Sequence, residues 1–133
     1  MATLERFEEL QCWKTGRKLR QLAYRHTRSP IFAADRSLVD QVRRAAQSVT
    51  ANIAEGFERE GNREFVQFLS IAKGSVGELK DELYTALDEG YLSQSDFEAT
   101  YAIAEDTTRL IGGLIGYLRR AEMTGSKFKR ATP

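Results

Sequence analysis

Apolar side chains recur three and four residues apart along four successive stretches of this chain, the spacing of one face of an α-helix. In the first stretch, from about Glu8 to Arg28, Leu10, Trp13, Leu19, Leu22, Ala23 and His26 follow it. Ser29-Pro30-Ile31-Phe32 breaks the pattern, because proline disfavours helix at the residue before it. The second stretch runs from Ser37 to about Phe57 with Leu38, Val42, Ala45, Val49 and Ile53 on one seam. Ser37 and Asp40 resemble a capping box with Asp in place of Glu. The third, Asn62 to about Asp88, carries Phe65, Phe68, Leu69, Ala72, Val76, Leu79, Leu83 and Ala86. Asn62 is a good cap, and Gly90 can end the helix in the left-handed conformation. The fourth begins near Ser95, which has Glu98 at capping-box spacing, and carries Phe97, Tyr101, Ala104, Thr108, Ile111, Ile115 and Leu118. From Glu122 onward the pattern stops.

Four amphipathic segments of about 20 residues with short links predict an all-α, up-down-up-down four-helix bundle over residues 1–121. Residues 122–133, with Lys127, Lys129 and Arg130, read as a basic, disordered tail. A chain of 133 residues suits one domain, and one core can hold it without staples. Cys12 is alone, so an internal disulfide and a cysteine metal cluster are both excluded. The first ten residues carry glutamates where a signal peptide needs an apolar run, and no stretch approaches a membrane span. A cytosolic protein with no membrane role is expected.

Charge changes the picture more than composition does. Residues 1–34 hold seven Lys/Arg against three Glu, net +4. Residues 117–133 hold five against one, again +4, and the centre holds eight against fifteen, net −7. Either the basic helices pack beside the acidic ones, or the chain offers a basic surface to an anionic partner. The candidate phosphate contacts are Lys14, Arg17, Lys18, Arg20, Arg43, Arg119 and Arg120. No helix-turn-helix, zinc finger or RNA-recognition sheet accompanies them.

Other residues are left over after the seams are assigned. Gln41, Arg44, Ser48, Asn52 and Glu55 share a second, polar face of the second helix. It is either solvated or a polar layer, within the bundle or between subunits, with Arg44 paired to Glu55 or Glu78. Gly74, Gly77, Gly112, Gly113 and Gly116 each cost a helix up to about 1 kcal/mol. They read as close-packing positions, inside the bundle or at a subunit contact. Phe7, Leu10, Trp13, Tyr24, Phe32, Val39 and Ala46 exceed what one core face can take, which points to an interface and a symmetric homo-oligomer.

Catalytic chemistry finds little to use. His26 is the one histidine, so Glu-x-x-His pairs and His-Glu-x-x-His are both missing. No glycine-rich phosphate loop precedes a helix, and no glycine-framed serine serves a triad. His26 and Cys12 read as structural residues, and carboxylate pairs such as Asp81 and Glu82 as a solvated helix face. No catalytic residue, metal site or cofactor is expected.

The residues do carry a family resemblance. Phe7-Glu8-Glu9-Leu10-Gln11 with Trp13, Tyr24 and Thr27 opens it. Gln41-Val42-Arg43-Arg44-Ala45-Ala46, Ser48-Val49 and Asn52-Ile53-Ala54-Glu55-Gly56 form its centre. Glu64-Phe65, Phe68-Leu69, Ala72, Gly74-Ser75, Glu78-Leu79 and Gly90-Tyr91-Leu92 continue it. Over residues 7–120 the chain resembles the bacterial four-helix-bundle proteins encoded within intervening sequences of 23S ribosomal RNA genes, often labelled ribosomal proteins. Cys12 departs from the aliphatic residue expected there. The resemblance implies a left-handed bundle that assembles as a homopentamer, similar in fold to the accessory protein of diversity-generating retroelements. It also implies that Gln41, Arg44, Ser48, Asn52, Glu55, Gly74 and Glu78 organise the bundle and the subunit contact. The expected function is a non-enzymatic oligomeric scaffold that engages RNA or a ribonucleoprotein. The alternative is a protein-protein interaction module with no nucleic-acid role.

Overall fold

The computed structural model describes residues 4–123. A 3-10 turn at Phe7–Glu9 is followed by α1 (Gln11–Thr27), α2 (Pro30–Ala33), α3 (Arg36–Glu58), α4 (Asn62–Asp88) and α5 (Gln94–Met123). There is no strand among the described residues. α1 packs on α3 and α5, α3 on α4, and α4 on α5. Each of the four long helices therefore touches two others around one core. Lys127, Lys129 and Arg130 of the expected tail lie outside the described residues, and α5 continues two residues past the expected end of the bundle.

The seams of α3 and α4 are buried as the pattern predicts. Leu38, Val42, Ala45, Val49 and Ile53 are buried on α3, and Phe65, Leu69, Ala72, Val76, Leu79, Leu83 and Ala86 on α4. Phe68 alone is only half-buried. On α5 the seam shifts by one residue in the middle. Thr100 and Thr107 are buried, while Tyr101 and Thr108 are half-buried. The threonines satisfy their hydroxyls there: Thr107 donates to the Ile103 carbonyl at 2.8 Å, and Thr100 is bonded to His26 Nε2 at 2.8 Å. His26 thus ties α1 to α5, and burial holds its pKa below the usual imidazole value, against an opposing pull from Asp96.

α1 departs furthest from expectation. Its buried seam is Cys12, Gly16, Leu19, Ala23 and Thr27, whereas Trp13, Leu22 and His26 are half-buried. Small residues bring α1 close to α3: a Cβ added at Gly16 would lie 3.2 Å from Val49 Cγ1 and 3.3 Å from Thr50 Cγ2. Burial pushes the Cys12 thiol up to about 12, so it is a packed, unreactive side chain. The apolar residues counted as extras mostly have homes in this core. Leu10, Phe32 and Ala46 are buried, and Phe7, Trp13 and Val39 pack against it.

The helix ends also sit elsewhere than expected. Leu10 is extended (ψ 130) and starts α1, leaving Phe7–Glu9 as a separate turn closed by the Glu9 carboxylate on the N–H groups of Glu5 and Arg6. Those two hydrogen bonds lower the Glu9 pKa. Extended Ser29 precedes Pro30, which opens α2 at the position where its missing N–H costs nothing. Asp35, not Ser37, caps α3 by accepting from Leu38 N at 3.1 Å. Its other oxygen accepts from the Tyr91 hydroxyl at 3.0 Å, which pins the α4–α5 link onto the start of α3. Gly61 (φ 102) caps α4, so Asn62 is its first residue. Gly90 (φ 79) makes the turn expected of it. Ser93, not Ser95, caps α5 by accepting from Asp96 N at 3.1 Å.

Candidate functional site

Cationic side chains on α1 emerge from the face opposite its small-residue seam. Lys14, Arg17 and Lys18 are exposed, and the Arg17 guanidinium lies 5.7 Å from the centre of the Trp13 ring. Arg20 is half-buried and donates from Nη1 to Thr50 Oγ1 on α3 at 2.8 Å. Arg43 reaches the other way, from α3 to α1. Its Nε donates to Thr27 Oγ1 at 2.9 Å, and its guanidinium lies 4.6 Å from the Tyr24 ring centre. Arg20 and Arg43 therefore each bridge α1 and α3, at Thr50 and at Thr27. Arg119 and Arg120 stand apart, exposed on α5.

A groove of about 630 Å³ runs between α1 and α3. Trp13, Tyr24 and Phe7 form its aromatic wall, and Arg20 and Arg28 its cations. No carboxylate of the described residues lines it. Phe7 meets Trp13 edge-on at 5.3 Å, and the Gln47 amide donates to the Tyr24 hydroxyl, so both rings are braced. Sequence reasoning set these aromatics aside as interface extras and missed Arg28. The signal was there: aromatic and basic residues alternate at helical spacing from Trp13 to Arg28.

The polar face of α3 forms a second groove with α4, about 400 Å³, lined by Gln41, Arg44, Ser48, Glu78 and Glu82. Gln41, Arg44 and Glu55 are exposed, while Ser48 and Asn52 are half-buried. Ser48 and Ser75 hydroxyls bond at 2.7 Å across the helices, and Asn52 donates to the Ser48 carbonyl at 2.8 Å. The expected pairing of Arg44 is not found. Among the described residues no ion pair joins it to Glu55 or Glu78, and Glu55 bonds Arg59 at 3.0 Å instead, one turn along its own helix.

Glu82 corrects the reading of Asp81 and Glu82 as a solvated pair. Asp81 is exposed, but Glu82 is half-buried and its Oε1 has no hydrogen-bond partner. Burial, then the charges of Glu78 and Asp81, push its pKa up from 4.5 to about 7. The folded chain therefore holds a proton that the unfolded chain gives up near 4.5. The associated stability is complete below that value and is lost as pH rises through about 7. Because the group is about half exposed, we scale the effect down to roughly 1–2 kcal/mol. Glu82→Gln is expected to raise unfolding free energy by that amount at pH 8 and by almost nothing at pH 4.5. Urea melts of both proteins at the two pH values check this; an equal difference at both contradicts it.

Within the chain, the helix glycines of α4 and α5 are not the close-packing positions expected of them. A Cβ added at Gly74, Gly77, Gly112 or Gly113 would meet nothing within 4 Å, and one at Gly116 would meet only the tip of Arg120 at 3.4 Å. Gly74, Gly112 and Gly116 line an open α4–α5 groove together with Lys73 and Arg119. Close approach is instead made at Gly16 and at Gly56, whose added Cβ would lie 2.8 Å from Phe68 Cβ. Among the described residues no group of His, Cys, Asp or Glu is placed to hold a metal, and no helix is long and apolar enough to cross a membrane.

Comparison with known proteins agrees with this architecture. No curated protein matches the chain. A crystallised protein of unknown function from the S23 ribosomal protein family of Bacteroides thetaiotaomicron superposes with a TM-score of 0.69 at 16% identity. The match covers 78% of this chain and 97% of that one. At that identity the likeness establishes the fold. The profile of the 23S rRNA-intervening sequence proteins matches residues 8–113, which takes in the polar face of α3 and, except for Phe7, the α1–α3 groove. With most of its length under that profile and the same helical fold, this chain belongs to the 23S rRNA-intervening sequence protein family.

Proposed function

We propose that this chain is a non-enzymatic, oligomeric helical bundle whose basic α1 face engages RNA or a ribonucleoprotein. One observation carries the reading. α1 holds Lys14, Arg17, Lys18, Arg20 and Arg25 and no acidic residue, and no carboxylate of the described residues lies within ion-pair distance of any of them. Some cations elsewhere do find carboxylates: Lys80 pairs with Glu105, Arg109 with Asp106, and Arg59 with Glu55 and Glu64. The acidic centre of the chain therefore does not neutralise α1, which stays available to an anion. A phosphate backbone matches it, binding by charge and without sequence preference.

The finer architecture belongs to the same reading. Short links between the long helices support an up-down-up-down course, and family membership supports a left-handed twist and a homopentamer. The α4–α5 groove at Gly74, Gly112 and Gly116 fits a subunit contact, because these glycines weaken their helices and gain no contact within the chain. The polar face at Gln41, Arg44, Ser48, Asn52, Glu55 and Glu78 is the second contact surface we assign. The intact oligomer is expected to bind RNA at low salt and to release it steeply as salt rises. Filter binding checks this, and no binding at low salt removes the proposal.

A second reading rests on Ile31, Ile71, Tyr84 and Leu110, which are 57%, 52%, 48% and 38% exposed. They suit a protein partner. A complex that survives nuclease treatment would favour it.

A further inference from the structure

The α1–α3 groove has a chemistry of its own. Trp13, Tyr24 and Phe7 give it flat apolar walls, and Arg20 and Arg28 give it positive charge with no carboxylate to cancel it. Its rings are fixed in place. Trp13 touches the Phe7 ring edge-on and the Arg17 guanidinium, and Tyr24 touches Arg43 and Gln47. Arg20 is oriented as well. Its bond to Thr50 uses one N–H, which leaves the rest of the guanidinium fork free to meet an anion's oxygens. Arg28 is exposed and has no ion pair among the described residues. The volume of about 630 Å³ lies within the range of small-ligand sites.

Flat rings beside unpaired arginines select a ligand that is aromatic at one end and anionic at the other. A nucleotide has that form. In a duplex the base faces are covered by their neighbours, so the groove suits a base that is unpaired. Resting on the RNA-binding reading above, we propose that this groove takes a short unpaired stretch of a single strand laid along α1, its bases stacked on Trp13 and Tyr24 and its phosphates on Arg20 and Arg28. The chain would then hold single-stranded segments at a fixed point and let duplex slide past on charge alone. Base stacking of this kind tolerates any sequence, because every base has a π-face.

Trp13 is the sole tryptophan, so indole emission reports on this groove alone. The full chain is titrated with a dye-labelled single-stranded oligouridylate. Dye anisotropy reads binding anywhere on the protein, and Trp13 emission reads occupancy of the groove. The two signals are expected to share one midpoint, with Trp13 emission at least halved at saturation. The duplex of equal length should bind about tenfold more weakly and leave the emission unchanged. Inorganic phosphate and an oligoglutamate of equal charge should not quench at all. Arg28→Ala, on an exposed residue, is expected to melt as the wild type does and to raise the single-strand midpoint fivefold or more; Arg20→Ala should act the same way. Anisotropy binding without quenching, and with both variants unchanged, would place RNA elsewhere: the groove proposal falls and the RNA reading stands. Absence of binding in both signals sinks the two together. Quenching by oligoglutamate overturns the role of the base, and quenching by free UMP as tight as by the strand overturns the assignment to a strand.

Discussion

Leu79→Ala is expected to lower the unfolding free energy by about 2–5 kcal/mol. Leu79 is fully buried on the seam of α4, the helix that packs against both α3 and α5. Truncation removes its transfer free energy and leaves a cavity that two flanking helices cannot close together. A domain of this size has about 5–15 kcal/mol to lose, so the variant approaches the edge of folding. Chemical denaturation followed by far-ultraviolet circular dichroism measures it. A loss under 1 kcal/mol would mean that the α4 seam is not the centre of the core.

Opposite signs are expected from two glycine-to-alanine changes that look alike in sequence. Gly56→Ala places a Cβ 2.8 Å from Phe68 Cβ and 2.9 Å from Phe65 Cδ1. Phe68 Cβ moves only with the α4 backbone, so α3 and α4 must part. Overpacking of this kind costs about 1–3 kcal/mol, more than the roughly 1 kcal/mol that alanine returns in helix propensity. Gly77→Ala meets nothing within 4 Å and keeps only that gain, so it should stabilise the chain by up to about 1 kcal/mol. Thermal melts of the two variants decide it, and equal signs would contradict the packing described.

The sequence pattern located α3 and α4 well because their seams are made of large apolar residues at regular spacing. Leu69, Leu79 and Leu83 have no other place to go. On α1 it succeeded only in part, for a physical reason. Leu10, Leu19 and Ala23 are buried as expected, but so are Cys12, Gly16 and Thr27, whose value lies in letting α1 approach α3, and hydrophobicity does not register closeness. Trp13, the most conspicuous apolar residue, lies on the rim of the groove that this approach creates. The caps failed differently. Ser37 with Asp40 and Ser95 with Glu98 have suitable spacing, but Asp35 is chosen because Tyr91 also needs it, and that contact spans 56 residues. The basic residues of the candidate site were legible by type. Their place beside Trp13 and Tyr24 along α1 was legible too; the closing of the groove was not, since Gln47 and Thr50 reach Tyr24 and Arg20 only after α1 and α3 have packed. The Arg44 pairing, one of the two readings of that polar face, rested on charge and spacing alone; Arg44 instead lines its groove with no ion pair among the described residues.

The claim on which the functional account rests is that the cations of α1 are left uncompensated by the fold and await a polyanion. Its most direct test is the slope of log K against log salt for single-stranded RNA binding to the intact protein. Comparison with Lys14→Ala, Arg17→Ala and Lys18→Ala, alone and combined, assigns that slope to residues. Each exposed cation that meets a phosphate should shallow the slope by about 0.7, and the triple variant by about 2. An unchanged slope in the triple variant, or a wild type that binds no RNA at 50 mM salt, would contradict the account.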